Sequence, residues 1–190
     1  MRLFVAAYPP PPAVRDLADF VAGLRVGKAM AAGVNTRLTR PETYHVTLAF
    51  LGDVPDERLA DVEDAVGRAV SRATGVPELA MAGGGRFGRG TFTIMWVGLT
   101  GDLDPARLLH RAVRRELKRA RLPYDDRPWK PHLTIARPGD RIPRADTDAD
   151  RAALQTYEGP AWPMREIVLM RSHLGPDPTY ERLTNWLLGP

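Results

Sequence analysis

The sequence predicts an α+β fold. Two antiparallel sheets with flanking helices form a bilobal unit, related by pseudo-twofold symmetry around a central cleft. Three observations predict it. First, the window from Arg40 to Asp53 recurs as the window from Arg127 to Asp140. Arg, Pro, His, Thr, Ala, Gly and Asp fall at equivalent places without a gap. A match that dense is the mark of an internal duplication. Second, strand-like and helix-like patterns precede each window in the same order. Third, no shift of composition marks a linker, so residues 1–190 read as one bilobal domain with one His-x-Thr motif per half.

In chain order, Leu3 to Tyr8 is a strand broken by Pro9 to Pro12. Proline is also compatible with helix entry. Val14, Leu17, Ala18, Val21 and Leu24 then follow helical spacing. Gly27 to Gly33 reads as a loop, and Thr36 to Thr39 as a short strand entering the first window. Pro55-Asp56-Glu57 opens a second helix with acidic residues at its positive end, and Leu59, Val62, Val66 and Val70 give it an apolar stripe. Gly75 and Pro77 end that helix.

Glu78 to Met81 reads as a strand, Gly83 to Gly90 as a glycine-rich loop, and Phe92 to Leu99 as a strong strand. The loop lacks the Lys-Ser/Thr ending of a P-loop, and no helical pattern follows it directly. Asp104-Pro105 is the expected cap of a third helix, buried through Leu109, Ala112, Val113, Leu117 and Ala120. Its other positions, from Arg107 to Arg121, are crowded with Arg and Lys. Such a run is either a solvated face or an RNA contact. After the second window, Arg144 to Tyr157 is a weak helix. Met164 to Ser172 and Tyr180 to Leu188 are strands.

Composition narrows the chemistry. Hydrophobic residues make up 44% of the 190, enough for a real core. The absence of Cys excludes disulfides and thiolate metal sites, and it is consistent with a reducing cytoplasm. The apolar run at the N-terminus is too short for a signal peptide, and no run reaches membrane-spanning length. The net charge of +4 mildly favours a polyanionic partner. Only Lys28, Lys118 and Lys130 are lysines, so the charge also fits an Arg- and Ala-rich composition in general.

The centre of each window is His-apolar-Thr-apolar, which is strand-like. Residues two apart share a face. His45 and Thr47 thus project together, as do His132 and Thr134. Val46, Leu48, Leu133 and Ile135 point to the core. Imidazole titrates near neutrality, so one His can take a proton while the other gives one. That pairing suits in-line attack at phosphorus, with Thr47 and Thr134 hydroxyls on the non-bridging oxygens. A metal centre fits poorly, because zinc wants three or four His, Cys or carboxylate ligands. His110 and His173 read as packing or surface residues. Ser71 and Ser172 lack a nucleophile context. An acid and a base together favour an enzyme over a binding module, which remains the alternative reading.

His45-Val-Thr-Leu and His132-Leu-Thr-Ile resemble the paired signatures of the two-histidine (2H) phosphoesterases. Arg2-Leu-Phe-Val-Ala, Phe50-Leu-Gly52, Pro131 to Arg137 and the Gly175 to Tyr180 turn resemble one branch, the RNA 2′,3′-cyclic phosphodiesterases, or 2′-5′ RNA ligases. The resemblance implies an enzyme without metal or cofactor and without an obligatory protein partner. Its substrate would be an RNA or nucleotide with a cyclic phosphate end, hydrolysed to a 2′-phosphomonoester. His45 would be the acid, His132 the base, and Thr47, Thr134 and Arg137 the phosphate-binding groups. Arg137 has Phe50 as its counterpart in the first window, so the symmetry breaks there. Gly83 to Gly90 departs from the Phe-Pro turn of that branch. A small cyclic nucleotide is the alternative substrate.

Overall fold

Burial on both faces makes the first strand a central one. In the computed structural model, which describes residues 1–175 and 179–189, β1 (Arg2–Ala7) is buried from Leu3 onward. It pairs antiparallel with β2 (Val46–Asp53) on one side and β7 (Glu166–His173) on the other. β8 (Thr179–Leu187) closes this sheet, in the order β2-β1-β7-β8. The second sheet has the order β5-β4-β3-β6. It is built from β3 (Glu78–Phe87), β4 (Ile94–Gly101), β5 (His132–Ala136) and the short β6 (Trp162–Pro163). Every strand pair is antiparallel.

The helices are α1 (Pro11–Gly23), α2 (Arg25–Ala31), α3 (Leu59–Val70), α4 (Leu103–Arg119) and α5 (Arg144–Leu154). The two orders correspond position by position. β1 leads through α1 and α2, and β4 through α4, to an edge strand with a histidine at its start, β2 just after His45 and β5 from His132. In the first half the strand after the next helix, β3, crosses to the second sheet. In the second half the short β6 stays in its own sheet, and the strand after it, β7, crosses to the first. Each sheet therefore contains a strand from the other half, which ties the halves together through backbone hydrogen bonds.

Short pairings reinforce the exchange. Ahead of the first motif, the Thr39 amide donates to the Ile135 carbonyl at 2.9 Å, and Leu38 bridges Ala136. Ahead of the second, the Asp125 amide donates to the Phe50 carbonyl at 2.8 Å. Thr36 to Thr39 is thus a bridge on the β5 edge rather than a strand of its own. Val46, Leu48, Leu133 and Ile135 are all buried in the main core, as the alternation required.

Three local expectations are corrected. Residues 25–31 are helical, not a loop. The Asp150 carboxylate of α5 accepts from the Arg25 and Val26 amides at 2.6 and 2.9 Å, supplying a cap from a distant segment. Gly27 also lets this helix close on the Val21 and Ala22 backbone. Next, most of Gly83 to Gly90 is strand. β3 runs to Phe87, with a bulge between Ala82 and Gly84 where Gly83 has a φ of +60°. A Cβ at Gly84 would meet Leu154, and one at Gly85 would meet the Trp96 ring. These glycines serve close packing, which no local pattern distinguishes from a loop. Finally, α4 begins at Leu103 and has no side-chain cap. Asp104 pairs instead with Arg107 at 2.9 Å.

The basic face of α4 is largely engaged. Glu116, 1% exposed, is ringed by Arg72 and Arg119 at 2.8 and 2.9 Å, and by Arg68 and Arg115 at 3.4 and 3.6 Å. Arg114 stacks over Tyr124. Two of these guanidiniums, Arg68 on α3 and Arg72 just past its end, thus bind α3 to α4 through the Glu116 carboxylate, while Arg115 and Arg119 come from α4 itself. Of the Gly175 to Tyr180 turn, residues 176–178 lie outside the described residues.

Candidate active site

Both motifs sit on edge strands, and β2 and β5 contact each other. His45 immediately precedes β2, and His132 opens β5. Each imidazole is oriented identically. His45 Nδ1 lies 2.7 Å from the Thr43 carbonyl, and His132 Nδ1 lies 2.6 Å from the Lys130 carbonyl. A carbonyl only accepts, so Nδ1 carries the proton in each and Nε2 is left for chemistry.

Each motif also bulges at the same place. β1 pairs Val5 with Ala49 and Ala6 with Thr47, skipping Leu48. β4 pairs Met95 with Ala136 and Trp96 with Thr134, skipping Ile135. The extra residue is the apolar one after Thr in both copies. Strict alternation ends there: Leu48 and Ala49 are both buried, as are Ile135 and Ala136. Such a bulge bends the strand and re-aims the side chains beside it.

Aromatic rings hold the imidazoles. His45 packs against Phe4 at 5.0 Å, Tyr180 at 5.4 Å and Tyr8 at 5.6 Å between ring centroids. Phe4 belongs to a second, smaller apolar cluster with Ala6, Val168 and Met170. Phe87 meets His132 edge-on at 4.9 Å and stacks on Trp96 at 5.3 Å. Sequence reasoning assigned none of these rings to the site. Phe4 and Tyr8 carry a signal, since with Ala6 they alternate on one strand face. Phe87 carries none, because its stretch reads as a glycine loop, and Trp96 lies in the expected Phe92 to Leu99 strand, whose pattern does not name the histidine beside it.

Burial lowers the pKa of both His45 and His132 from the ordinary imidazole value. The backbone hydrogen bonds partly oppose this, and Arg137 depresses both further. His132 adds to the depression at His45. Arg137 is therefore within electrostatic reach of both imidazoles, and the structure brings the two histidines and this arginine together. Thr47 and Thr134 are half-buried beside them. On the first side Phe50 replaces the arginine, and the Arg2 guanidinium lies 4.8 Å from its ring centroid. Among the described residues no group of three or more His, Cys, Asp or Glu is placed to hold a metal ion. His173 is exposed and pairs with Glu181.

The two exchanged sheets form a fold shared with solved proteins. A Thermus thermophilus crystal structure matches with a TM-score of 0.76 at 26% identity, over 99% of this chain and 98% of that one. E. coli LigT complexed with NADP+ matches with a TM-score of 0.72 at 22% identity, over 98% and 97%. The sequence profile of the 2′-5′ RNA ligase superfamily matches residues 9–176, and the chain belongs to that family. It is similar to the RNA 2′,3′-cyclic phosphodiesterase of Geobacillus stearothermophilus, at 37% identity over 157 residues. That match covers 78% of this chain and 46% of the relative, so the chain spans less than half its length. The Thermus thermophilus protein of the same name is 29% identical, over 99% of this chain and 90% of its own.

No helix among the described residues is long and apolar enough to cross a membrane.

Proposed function

We propose that this protein hydrolyses 2′,3′-cyclic phosphate ends of RNA to 2′-phosphomonoesters. The observation that carries the reading is the matched orientation of His45 and His132, each with Nδ1–H fixed to a carbonyl two residues upstream. The relatives named for this activity support it. His132 Nε2 takes a proton from water, whose oxygen attacks phosphorus. The bond from phosphorus to O3′ breaks in line, and His45 Nε2 delivers its proton to O3′. Thr47 and Thr134 hydroxyls donate to the non-bridging oxygens, where charge builds in the transition state. Arg137 offsets the same charge.

The roles require no metal. With an RNA 5′-hydroxyl in place of water, the same forward steps form the bond from its oxygen to phosphorus as that to O3′ breaks, which joins ends through a 2′-5′ linkage. Their reverse cleaves that linkage and restores the cyclic phosphate. The repeated windows and matching sheet orders support a duplicated unit as the origin of residues 1–190. An RNA substrate and a cysteine-free chain fit a cytoplasmic setting.

The test is incubation with an oligoribonucleotide ending in 2′,3′-cyclic phosphate, followed by mapping of the product end. A 2′-phosphate is expected. A 3′-phosphate reverses the leaving group, and binding without turnover makes the protein a binding module.

A further inference from the structure

Outward from His132, the Phe87 and Trp96 rings lead to a groove of about 710 Å³. Trp96 forms part of its wall, and Arg86, Arg89, Arg151 and Gln155 line it. The groove follows an open sheet edge. Among the described residues, the outer side of β3 pairs only at Glu78 and Leu79, and again at Ala82 with Glu158. Beyond these points Gly84, Gly85 and Gly88 bring bare backbone to the lining. Gln155 donates to the Gly84 carbonyl across it.

The charge is unbalanced. Arg89 and Arg151 are exposed and have no carboxylate within ion-pair distance among the described residues. Arg86 comes only to 4.0 Å from Asp148. Arginine in this setting matches phosphate, since its planar fork binds two oxygens at once. The ligand must also be extended, because the groove runs on from the aromatic pair beside His132 rather than standing apart as a closed pocket. A polynucleotide meets both conditions, with charges repeating along its length.

We propose that this groove takes backbone phosphates of the RNA strand on the 5′ side of the nucleotide bearing the cyclic end, with Arg89 and Arg151 as their main contacts. The proposal rests on the phosphodiesterase reading and deepens it. It makes the enzyme selective for oligonucleotides over mononucleotides.

Two measurements test it. In the first, a labelled single-stranded RNA of roughly six nucleotides, ending in a 2′-phosphate, is titrated by fluorescence anisotropy from about 50 to 200 mM salt. Arg89→Ala/Arg151→Ala should bind about tenfold more weakly than wild type. The slope of log affinity against log salt should shrink by about 1.4, at ~0.7 for each lost single-strand phosphate contact. Arg89→Lys/Arg151→Lys should recover most of the slope, since it keeps both charges. Unchanged affinity and slope in the Ala variant would overturn the proposal.

In the second, kcat/KM is compared on the same oligonucleotide with a cyclic end and on a nucleoside 2′,3′-cyclic phosphate. The Ala variant should lose about tenfold on the former, as in binding, and little on the latter. An equal loss on both, or none on the oligonucleotide, also overturns it. If wild type turns over neither substrate, the phosphodiesterase reading fails, while anisotropy still decides the groove.

Discussion

His110 holds the bulge of the first motif. Its Nδ1 donates to the Leu48 carbonyl at 2.7 Å, and its ring stacks on Trp129 at 4.9 Å with 9° between planes. Trp129 in turn donates through Nε1 to the Thr47 carbonyl at 2.8 Å. Two consecutive carbonyls of the outer edge of β2 are thus satisfied by residues of the second half. An unpaired buried carbonyl would cost about 1–3 kcal/mol. His110 is a positioning residue: it fixes the strand that presents His45 and Thr47.

His110→Ala should therefore destabilise the protein by about 1–3 kcal/mol in denaturant unfolding. It should also lower kcat more than it raises KM, because the fault lies in the aim of His45 and Thr47. His110→Asn can place an amide N–H near the position of Nδ1, and should restore much of both. Equal activity of the Ala and Asn variants would reduce His110 to packing alone.

Glu116→Gln should lower the thermal midpoint and loosen α3 from α4. Burial alone would raise the Glu116 pKa, but Arg119, Arg72, Arg68 and Arg115 together hold it below the ordinary value of 4.5. A carboxyl depressed in the folded state contributes stability that is present above the unfolded pKa. That stability is lost as pH falls through the lower folded value. The gap in midpoint between wild type and variant should accordingly be full near neutrality and narrow below about pH 4.5. A gap independent of pH would mean that shape, not charge, holds this joint.

Much of the candidate site was legible as a pattern because its signals are local. His-apolar-Thr-apolar fixes its own face, and its repetition pairs the strands without any tertiary knowledge. Leu59, Val62, Val66 and Val70 likewise announce α3. What was not legible depends on partners far away in the chain. Asp150 caps α2 from more than a hundred residues away. Gly84 and Gly85 are strand because Leu154 and Trp96 press on them. The exchange of β3 and β7 between sheets leaves no local trace either, since a strand pattern does not name its neighbour. His110 looked ordinary because its function is a bond to a bulge, and the bulge itself is invisible to alternation.

Thr47→Val and Thr134→Val should each keep the fold and slow hydrolysis by about 2.7–4 kcal/mol at most, the range of a single oxyanion donor. Single-turnover rates on an oligonucleotide with a cyclic end would measure the losses. Wild-type rates in both variants would remove the hydroxyls from the transition state.

Chelation should leave turnover unchanged. The proposed donors are two imidazoles, two hydroxyls and a guanidinium, which make a poor set for a catalytic divalent ion. Inactivation by EDTA with recovery on added zinc or manganese would overturn the mechanism.

The pH dependence follows from two depressed imidazoles in opposite roles. Burial lowers both His45 and His132 from 6.5, and Arg137 lowers them further. In the free enzyme both are therefore mainly neutral at pH 7. That suits His132 as a base but leaves His45 short of the proton it must give. The cyclic phosphate carries a negative charge, and its arrival next to His45 favours the imidazolium. Substrate binding should thus draw in a proton. The alkaline limb of log kcat/KM, which reports the free enzyme, should lie below the ordinary imidazole value, and the alkaline limb of log kcat should lie higher. Calorimetry of product binding in buffers of different ionisation enthalpy should show the same uptake directly. If the two imidazoles couple strongly, the limbs belong to the pair, and mutants must separate them. Arg137→Ala removes the cation that depresses both, so both limbs of kcat/KM should move to higher pH. On a substrate with an activated leaving group, which needs no acid, His45→Ala should be partly rescued and lose its alkaline limb. His132→Ala should stay roughly 10²-fold or more below wild type, because no leaving group replaces a base. Equal rescue of the two variants would mean that the imidazoles share their roles, and rescue of His132→Ala alone would mean that they are reversed.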